Sequence, residues 1–178
     1  MATLRIGVFG GRGVGKTCSV TSFVHKNVYP IYDPTLEVSD RKMCEIDGEV
    51  YVLEIYDKTY GDQCYPHLFK QLIKKNQAFL LVYSITSRVS FDEIIAQRKE
   101  IFEAKESPLF SIVLIGNKCD LEMNRQVSRE EGQELASIFQ CPFFETSAKD
   151  RVNIEAAYFE LVRVSKLYNL PSANKPRK

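Results

Sequence analysis

The sequence predicts an α/β domain, and three observations predict it. Strand-like and helix-like hydrophobic patterns alternate along the chain rather than falling into separate blocks. Two continuous apolar runs, Ala78–Ile85 and Ser111–Gly116, suit central strands covered on both faces. A glycine-rich segment, residues 10–17, follows a strand candidate and opens a helical run.

The elements follow in order. Leu4, Ile6 and Val8 alternate along the first strand, Leu4–Phe9, and a helix is expected from Lys16 to Val24. Val38–Ile46 and Glu49–Tyr56 flank Asp47-Gly48, a hairpin turn signal. The two apolar runs are the next strands, and Cys141–Glu145 is a short last one. Helices are expected over Tyr65–Lys75, Phe91–Ala104, Ser128–Phe139 and Val152–Leu167. Ser128 with Glu131 forms a capping box, and Ser90 with Glu93 is a second candidate. Ile94, Ile95, Arg98, Ile101 and Phe102 share helical spacing, and their apolar side chains are expected in the core.

With 178 residues and no linker or repeat, the chain reads as one domain over 1–168. Residues 169–178 form a basic tail, expected to be disordered, with Pro171 and Pro176. A net charge of +1 gives no global field that would recruit nucleic acid. The longest apolar segment, Ala78–Tyr83, is too short to cross a bilayer. Residue 2 is alanine rather than a lipidation glycine. Five cysteines (18, 44, 64, 119, 141) lack metal-ligand spacing and are expected as buried, reduced thiols. Neither His25 nor His67 has a Ser, Cys or acidic neighbour in a nucleophile arrangement, so neither is expected to be catalytic.

Gly10-Gly11-Arg12-Gly13-Val14-Gly15-Lys16-Thr17 fits the template G-x-x-x-x-G-K-[ST]. Glycines let such a loop wrap closely, with backbone N–H groups pointing at a polyphosphate. Lys16 adds a point charge for the outer phosphates, and the Thr17 hydroxyl is placed to ligate Mg²⁺. The helix that follows aims its positive end at the same anion. The strand Ser111–Gly116 runs into Asn117-Lys118-Cys119-Asp120, the pattern N-K-x-D. A carboxylate at Asp120 accepts both N1–H and the exocyclic amine of guanine; adenine has no such donor pair and would leave it unpaired. Lys118 can lay its apolar stem along the base. Glu145-Thr146-Ser147-Ala148-Lys149 matches a second base-contacting loop, where a backbone N–H meets the guanine oxygen.

With these motifs in this order, the chain resembles a Ras-superfamily small GTPase, most closely the Ras/Rap branch. Tyr32-Asp33-Pro34-Thr35-Leu36-Glu37 matches the first switch, Ser39-Asp40-Arg41-Lys42 partly follows it, and Phe79–Ser84 matches the fourth strand. The resemblance spans about residues 4–167. It implies the P-loop NTPase G domain, a six-stranded mostly parallel sheet with one antiparallel edge strand and five surrounding helices. It implies GTP/GDP and Mg²⁺ as cofactors, with Thr17, Thr35 and Asp57 at the metal. Nucleotide contacts would come from Gly11, Arg12, Gly13, Val14, Gly15, Lys16, Thr17 and Cys18. Val28, Tyr29, Tyr32, Pro34, Thr35 and Gly61 would add to them, as would Asn117, Lys118, Asp120, Ser147, Ala148 and Lys149. Thr35 would meet the metal and the γ-phosphate only with GTP bound, and hydrolysis would release that loop. Expected partners are effectors through Tyr32 to Asp40, exchange factors and GTPase-activating proteins, acting on a monomer.

Four departures stand out. The family pattern D-T-A-G-Q-E is replaced by Asp57-Lys58-Thr59-Tyr60-Gly61-Asp62-Gln63. One extra residue in this loop makes Gly61 the displaced equivalent of the γ-phosphate glycine. Asp62 then stands where the water-orienting glutamine belongs, and Gln63 serves only if the loop refolds by one residue. With Lys16, Thr35, Gly61, Asp62 and Gln63 as the catalytic set, slow hydrolysis is expected, because catalysis here depends on positioning water. Second, Arg12 replaces a glycine; it either obstructs a partner's arginine finger or lies along the surface. Third, Val28 replaces a phenylalanine that shields the nucleotide, which points to faster release, with Tyr29 as a compensating cover. Fourth, Val38 removes a charge from the effector strand.

A nucleotide-binding interaction module without turnover is the alternative, kept open by Lys58-Thr59-Tyr60-Gly61. An ATP-dependent kinase is disfavoured by Asn117–Asp120. Family members usually end in a prenylated cysteine box, whereas the last cysteine here is Cys141 and the sequence stops at Pro176-Arg177-Lys178. Either the native chain continues, or its basic tail gives weak, salt-sensitive peripheral membrane contact. The expected location is cytoplasmic, at the inner face of the plasma membrane if the native C-terminus is lipidated.

Overall fold

The structure, a computed structural model, describes residues 2–25, 39–59, 66–105 and 110–168. Eleven elements alternate along them: β1 (Ala2–Gly10), α1 (Lys16–His25), β2 (Ser39–Ile46), β3 (Glu49–Thr59), α2 (Pro66–Lys75), β4 (Ala78–Ser84), α3 (Arg88–Lys105), β5 (Ser111–Asn117), α4 (Arg129–Phe139), β6 (Phe143–Thr146) and α5 (Ile154–Tyr168). The sheet order is β2-β3-β1-β4-β5-β6, with β2 antiparallel at one edge and all other pairings parallel. This is the six-stranded, five-helix architecture that the resemblance implied. Among the described residues no helix is long and apolar enough to cross a membrane.

The continuous apolar runs are explained by two cores, one on each face of the sheet. Successive strand side chains point to opposite faces. Leu80 and Val82 of β4 therefore join Leu4, Ile6 and Val8 under α1 and α5. Phe79, Leu81 and Tyr83 instead join Phe9, Ile112 and Leu114 under α2, α3 and α4. All seven residues of β4, and all seven of β5, are buried. Phe23 of α1 stacks on Tyr158 of α5 with centroids 4.0 Å apart and rings nearly parallel, which seats α1 behind the glycine-rich loop.

The hairpin is closed as its sequence implies. Asp47 (φ 53°) and Gly48 (φ 79°) both take positive φ, the twist that a two-residue hairpin needs. Arg163 of α5 grips the Asp47 carboxylate at 3.0 Å through two nitrogens and holds that carboxyl below its usual range. Ser128 and Glu131 form the expected capping box, which starts α4.

Other expectations are corrected. Helix α3 begins at Arg88 rather than Phe91, and Ser87 Oγ accepts from the Ser90 N–H at 3.3 Å. Ser90 Oγ is instead committed to the Ser84 N–H (3.0 Å) and the Ser87 carbonyl (2.8 Å), so Ser90 and Glu93 form no capping box. Ile94 and Ile101 are buried, but Ile95 is 57% and Phe102 50% exposed, so half of that apolar face lies outside the core. Arg98 lies over the Phe139 ring, 4.7 Å from its centroid. The four described cysteines are free but not fully buried: Cys18 is exposed, and Cys44, Cys119 and Cys141 are partly covered. Desolvation pushes the Cys141 thiol up to about 11. Cys64 lies outside the described residues. Strand β3 runs on to Thr59, three residues beyond its expected end at Tyr56.

Candidate functional site

The motif loops meet at the carboxyl ends of the parallel strands, where open α/β sheets place their ligands. Gly10 ends β1, Asn117 ends β5 and Thr146 ends β6. The glycine-rich loop leaves β1 and turns directly into α1, so the first amides of that helix face the loop's concave side. Glycine is required at position 15. Its φ is +94°, and an added Cβ would stand 2.4 Å from Asn117 Nδ2.

Lys16 is 5% exposed and folds back across the loop, donating from Nζ to the Gly11 carbonyl at 2.8 Å. An ammonium thus lies against the glycine-rich loop, where its charge favours a polyanion. The Thr17 hydroxyl donates to Asp57 Oδ2 in β3. The two side chains present hard oxygen donors side by side, which fits Mg²⁺. The third expected ligand, Thr35, lies outside the described residues. No cluster of three His, Cys, Asp or Glu side chains occurs among the described residues.

The N-K-x-D segment is clasped to the loop. Asn117 is 2% exposed; its Nδ2 donates to the Val14 carbonyl at 2.9 Å, and its Oδ1 accepts from Thr146 Oγ1 at 3.0 Å. Lys118, in a left-handed conformation (φ 67°), reaches over with Nζ to the Gly13 carbonyl at 2.7 Å. Its stem bridges the two loops. Asp120 is partly exposed, and no described residue gives it a hydrogen bond or ion pair. Its carboxylate thus retains its full accepting capacity.

The third loop is fixed to the second. Cys119 N donates to the Thr146 carbonyl at 3.0 Å. Ser147 pairs with Val152 through both backbone groups, and its hydroxyl accepts from Asp150 N at 3.0 Å. Ala148 is buried beside it and Lys149 is exposed. Arg151 ties the loop to α1 through the Ser22 carbonyl at 2.6 Å.

One feature of the site has no signal in the linear sequence. Arg125, beside the short 3-10 turn Glu122–Asn124, bonds both oxygens of Glu145 (2.6 and 3.1 Å) and both of Glu122 (2.8 and 2.7 Å). The Glu145 side chain is 11% exposed, so this fork anchors the T-S-A-K loop from beneath. It also holds the Glu122 carboxyl below its ordinary range.

The structure thus brings together residues 11–18, 57, 117, 118, 120 and 147–149 at one end of the sheet. Arg12 and Cys18 are exposed there. Val28, Tyr29, Tyr32, Pro34, Thr35, Val38, Tyr60, Gly61, Asp62 and Gln63 lie outside the described residues, as does the tail. Chemically, the assembled part offers an anion cradle with one ammonium, oxygen donors for a small hard cation, and a carboxylate for a base with paired donors.

Comparison with known proteins agrees. The family model described as "Ras family" matches residues 5–166. A "Ras-like protein" of Laccaria bicolor is 45% identical over 167 residues, covering 94% of this chain and 79% of that protein. The chain therefore belongs to the Ras family, whose members bind GTP or GDP with Mg²⁺, act as nucleotide-dependent switches that hydrolyse GTP, and work with effectors, exchange factors and GTPase-activating proteins.

Proposed function

We propose that this chain is a guanine-nucleotide switch whose GTP state is unusually long-lived. One observation carries the reading: β3 stays paired with β1 through Thr59 opposite Gly10, two residues beyond Asp57. A family glycine is expected three residues after Asp57 to meet the γ-phosphate, and Tyr60 stands there instead. The strand's overrun carries the chain past the point where that turn belongs, so Gly61 becomes the displaced contact. Asp62 then takes the water-orienting place with a shorter reach and a charge that repels the phosphate.

In this reading the amides of residues 11–18 and the Lys16 ammonium bind the phosphates and offset charge at the γ-oxygens. Thr17, Thr35 and Asp57 would hold Mg²⁺, which would supply charge neutralisation at the phosphates. Asp120 reads guanine, Lys118 covers it, and the 147–149 backbone meets its oxygen. Val28, Tyr29, Tyr32 and Pro34 line the ribose and phosphate edge. Gly61, Asp62 and Gln63 orient water in line with the bond to be broken, poorly. Effectors dock on the segment from Tyr32 to Asp40. The domain spans 1–168 of a cytoplasmic monomer; either its basic tail makes weak, salt-sensitive membrane contact, or the native chain continues to a lipidated end at the inner face of the plasma membrane.

A second reading is an interaction module that binds nucleotide without turnover. The Lys58-Thr59-Tyr60-Gly61 replacement favours it equally. Single-turnover phosphate release from GTP-loaded protein separates the readings. Release about tenfold or more slower than a Ras-family protein with intact D-T-A-G-Q-E, a barrier about 1.4 kcal/mol higher, supports the slow switch. No release within days supports the module. A rate equal to that relative's refutes both.

A further inference from the structure

Glu93, in the second turn of α3, is turned onto the glycine-rich loop instead of back onto its own helix start. A methyl group built on Gly11 would stand 2.5 Å from Glu93 Oε2 and 3.7 Å from Glu93 Cδ, with Ser90 Cβ at 3.8 Å. The carboxylate therefore occupies the space that any side chain at position 11 would need. Glu93 is only partly exposed, and no described residue gives it a hydrogen bond or ion pair. The next loop residue is Arg12, exposed and equally without a partner among the described residues. Its Cα lies about 3.8 Å from that of Gly11. A guanidinium on its long stem can therefore reach the carboxylate packed on Gly11. The Lys16 ammonium donates to the Gly11 carbonyl at 2.8 Å, and in the nucleotide-switch reading it marks where the outer phosphates belong.

We propose that Glu93 is a positioning residue for the nucleotide site and acts through Arg12: it competes with the γ-phosphate for the guanidinium. With GDP bound, Arg12 pairs with Glu93 against the loop. With GTP bound, the γ-phosphate draws the same guanidinium across the loop. The carboxylate thereby lowers the preference for GTP over GDP that Arg12 would otherwise confer. It also fixes which of the two surfaces, α3 or the phosphate, the arginine covers. This goes deeper into the nucleotide-switch reading and rests on it.

The test is a double-mutant cycle on the ratio of GTP to GDP affinity, measured by titration with Mg²⁺ present. Glu93→Gln keeps the shape packed on Gly11 and removes the charge. In the Arg12 background it should raise the GTP-to-GDP affinity ratio about threefold to fivefold, the size of one partly exposed ion pair. In an Arg12→Ala background the same change should leave the ratio within experimental error. Glu93→Asp, which keeps the charge at shorter reach, should fall between wild type and Glu93→Gln. An equal rise in both backgrounds overturns the proposal, since it would report direct repulsion between Glu93 and the nucleotide. No rise in the Arg12 background also overturns it. Thermal melting of each variant shows whether a change in the ratio follows from lost folding, in which case Glu93→Asp against Arg12→Ala decides. Wild-type protein that takes up no guanine nucleotide would sink the proposed function; normal uptake without coupling sinks only this pairing.

Discussion

Thr146→Val isolates the bond that joins the two base-side loops. Valine reproduces the shape of threonine but cannot donate to Asn117 Oδ1, which accepts from Thr146 Oγ1 at 3.0 Å. Asn117 is 2% and Thr146 0% exposed, so water does not replace the lost donor. Stranding one buried acceptor costs about 1–3 kcal/mol. For a domain of this size each kcal/mol moves the melting temperature by about 2–4 °C, so a fall of about 2–12 °C is expected. Asn117 also donates to the Val14 carbonyl, so its displacement loosens the glycine-rich loop as well. If about 1 kcal/mol of the loss appears in the nucleotide complex, guanine-nucleotide release quickens about fivefold. Differential scanning calorimetry and the off-rate of a fluorescent GDP analogue read the two effects. A melting temperature within 1 °C of wild type, together with an unchanged off-rate, would refute the idea that this buried bond holds the site together.

Other predictions follow from the same geometry. Arg125→Met leaves the Glu145 carboxylate covered and unpaired, at a cost of about 2–4 kcal/mol once its remaining solvent contact is discounted. Adding Glu145→Gln should recover most of it in denaturant titrations, and equal damage from the double variant would contradict the fork's role. The Glu131 carboxyl is depressed to about 2 by Arg88 and by the Ser128 backbone. Its contribution is complete above the unfolded value of about 4.3 and is lost as pH falls through about 2. Glu131→Gln should therefore lower stability at pH 7 and flatten the fall in melting temperature between those values; parallel acid limbs would count against it. Val28→Phe should slow GDP release about fivefold, corresponding to about 1 kcal/mol of restored apolar cover. An unchanged off-rate would show that Tyr29 or another residue already supplies that cover.

What the sequence disclosed, and what it withheld, follows from how far apart the cooperating residues lie. The glycine-rich loop and the N-K-x-D segment carry their chemistry within eight and four consecutive positions, so their residue types are sufficient to place them. The continuous apolar run placed Leu80 and Leu81 in one central strand, and only the structure shows which core each of them joins. Asn117 and Thr146 are joined because β5 and β6 are neighbours in the sheet, and Arg125 reaches Glu145 from the connection that follows β5. No local pattern marks such pairs. Ile95 and Phe102 misled because each follows a buried residue, Ile94 or Ile101, and the next position on a helix is rotated by about 100°. Ser90 offered a capping signature, yet Ser84 and Ser87 had already claimed its hydroxyl. The overrun of β3 was masked by its composition. Asp57 and Lys58 are poor strand formers, but β1 offers the chain backbone partners through Thr59, and pairing overrides their weak strand propensity.

The nucleotide that the purified protein retains tests the central claim most directly. Protein isolated with Mg²⁺ present, denatured, and its released nucleotide separated by chromatography should yield mainly GTP if, as proposed, the altered sequence after Asp57 orients water poorly. Protein that yields GDP alone would contradict the account, since it would mean that the loop after Asp57 completes hydrolysis despite its altered sequence.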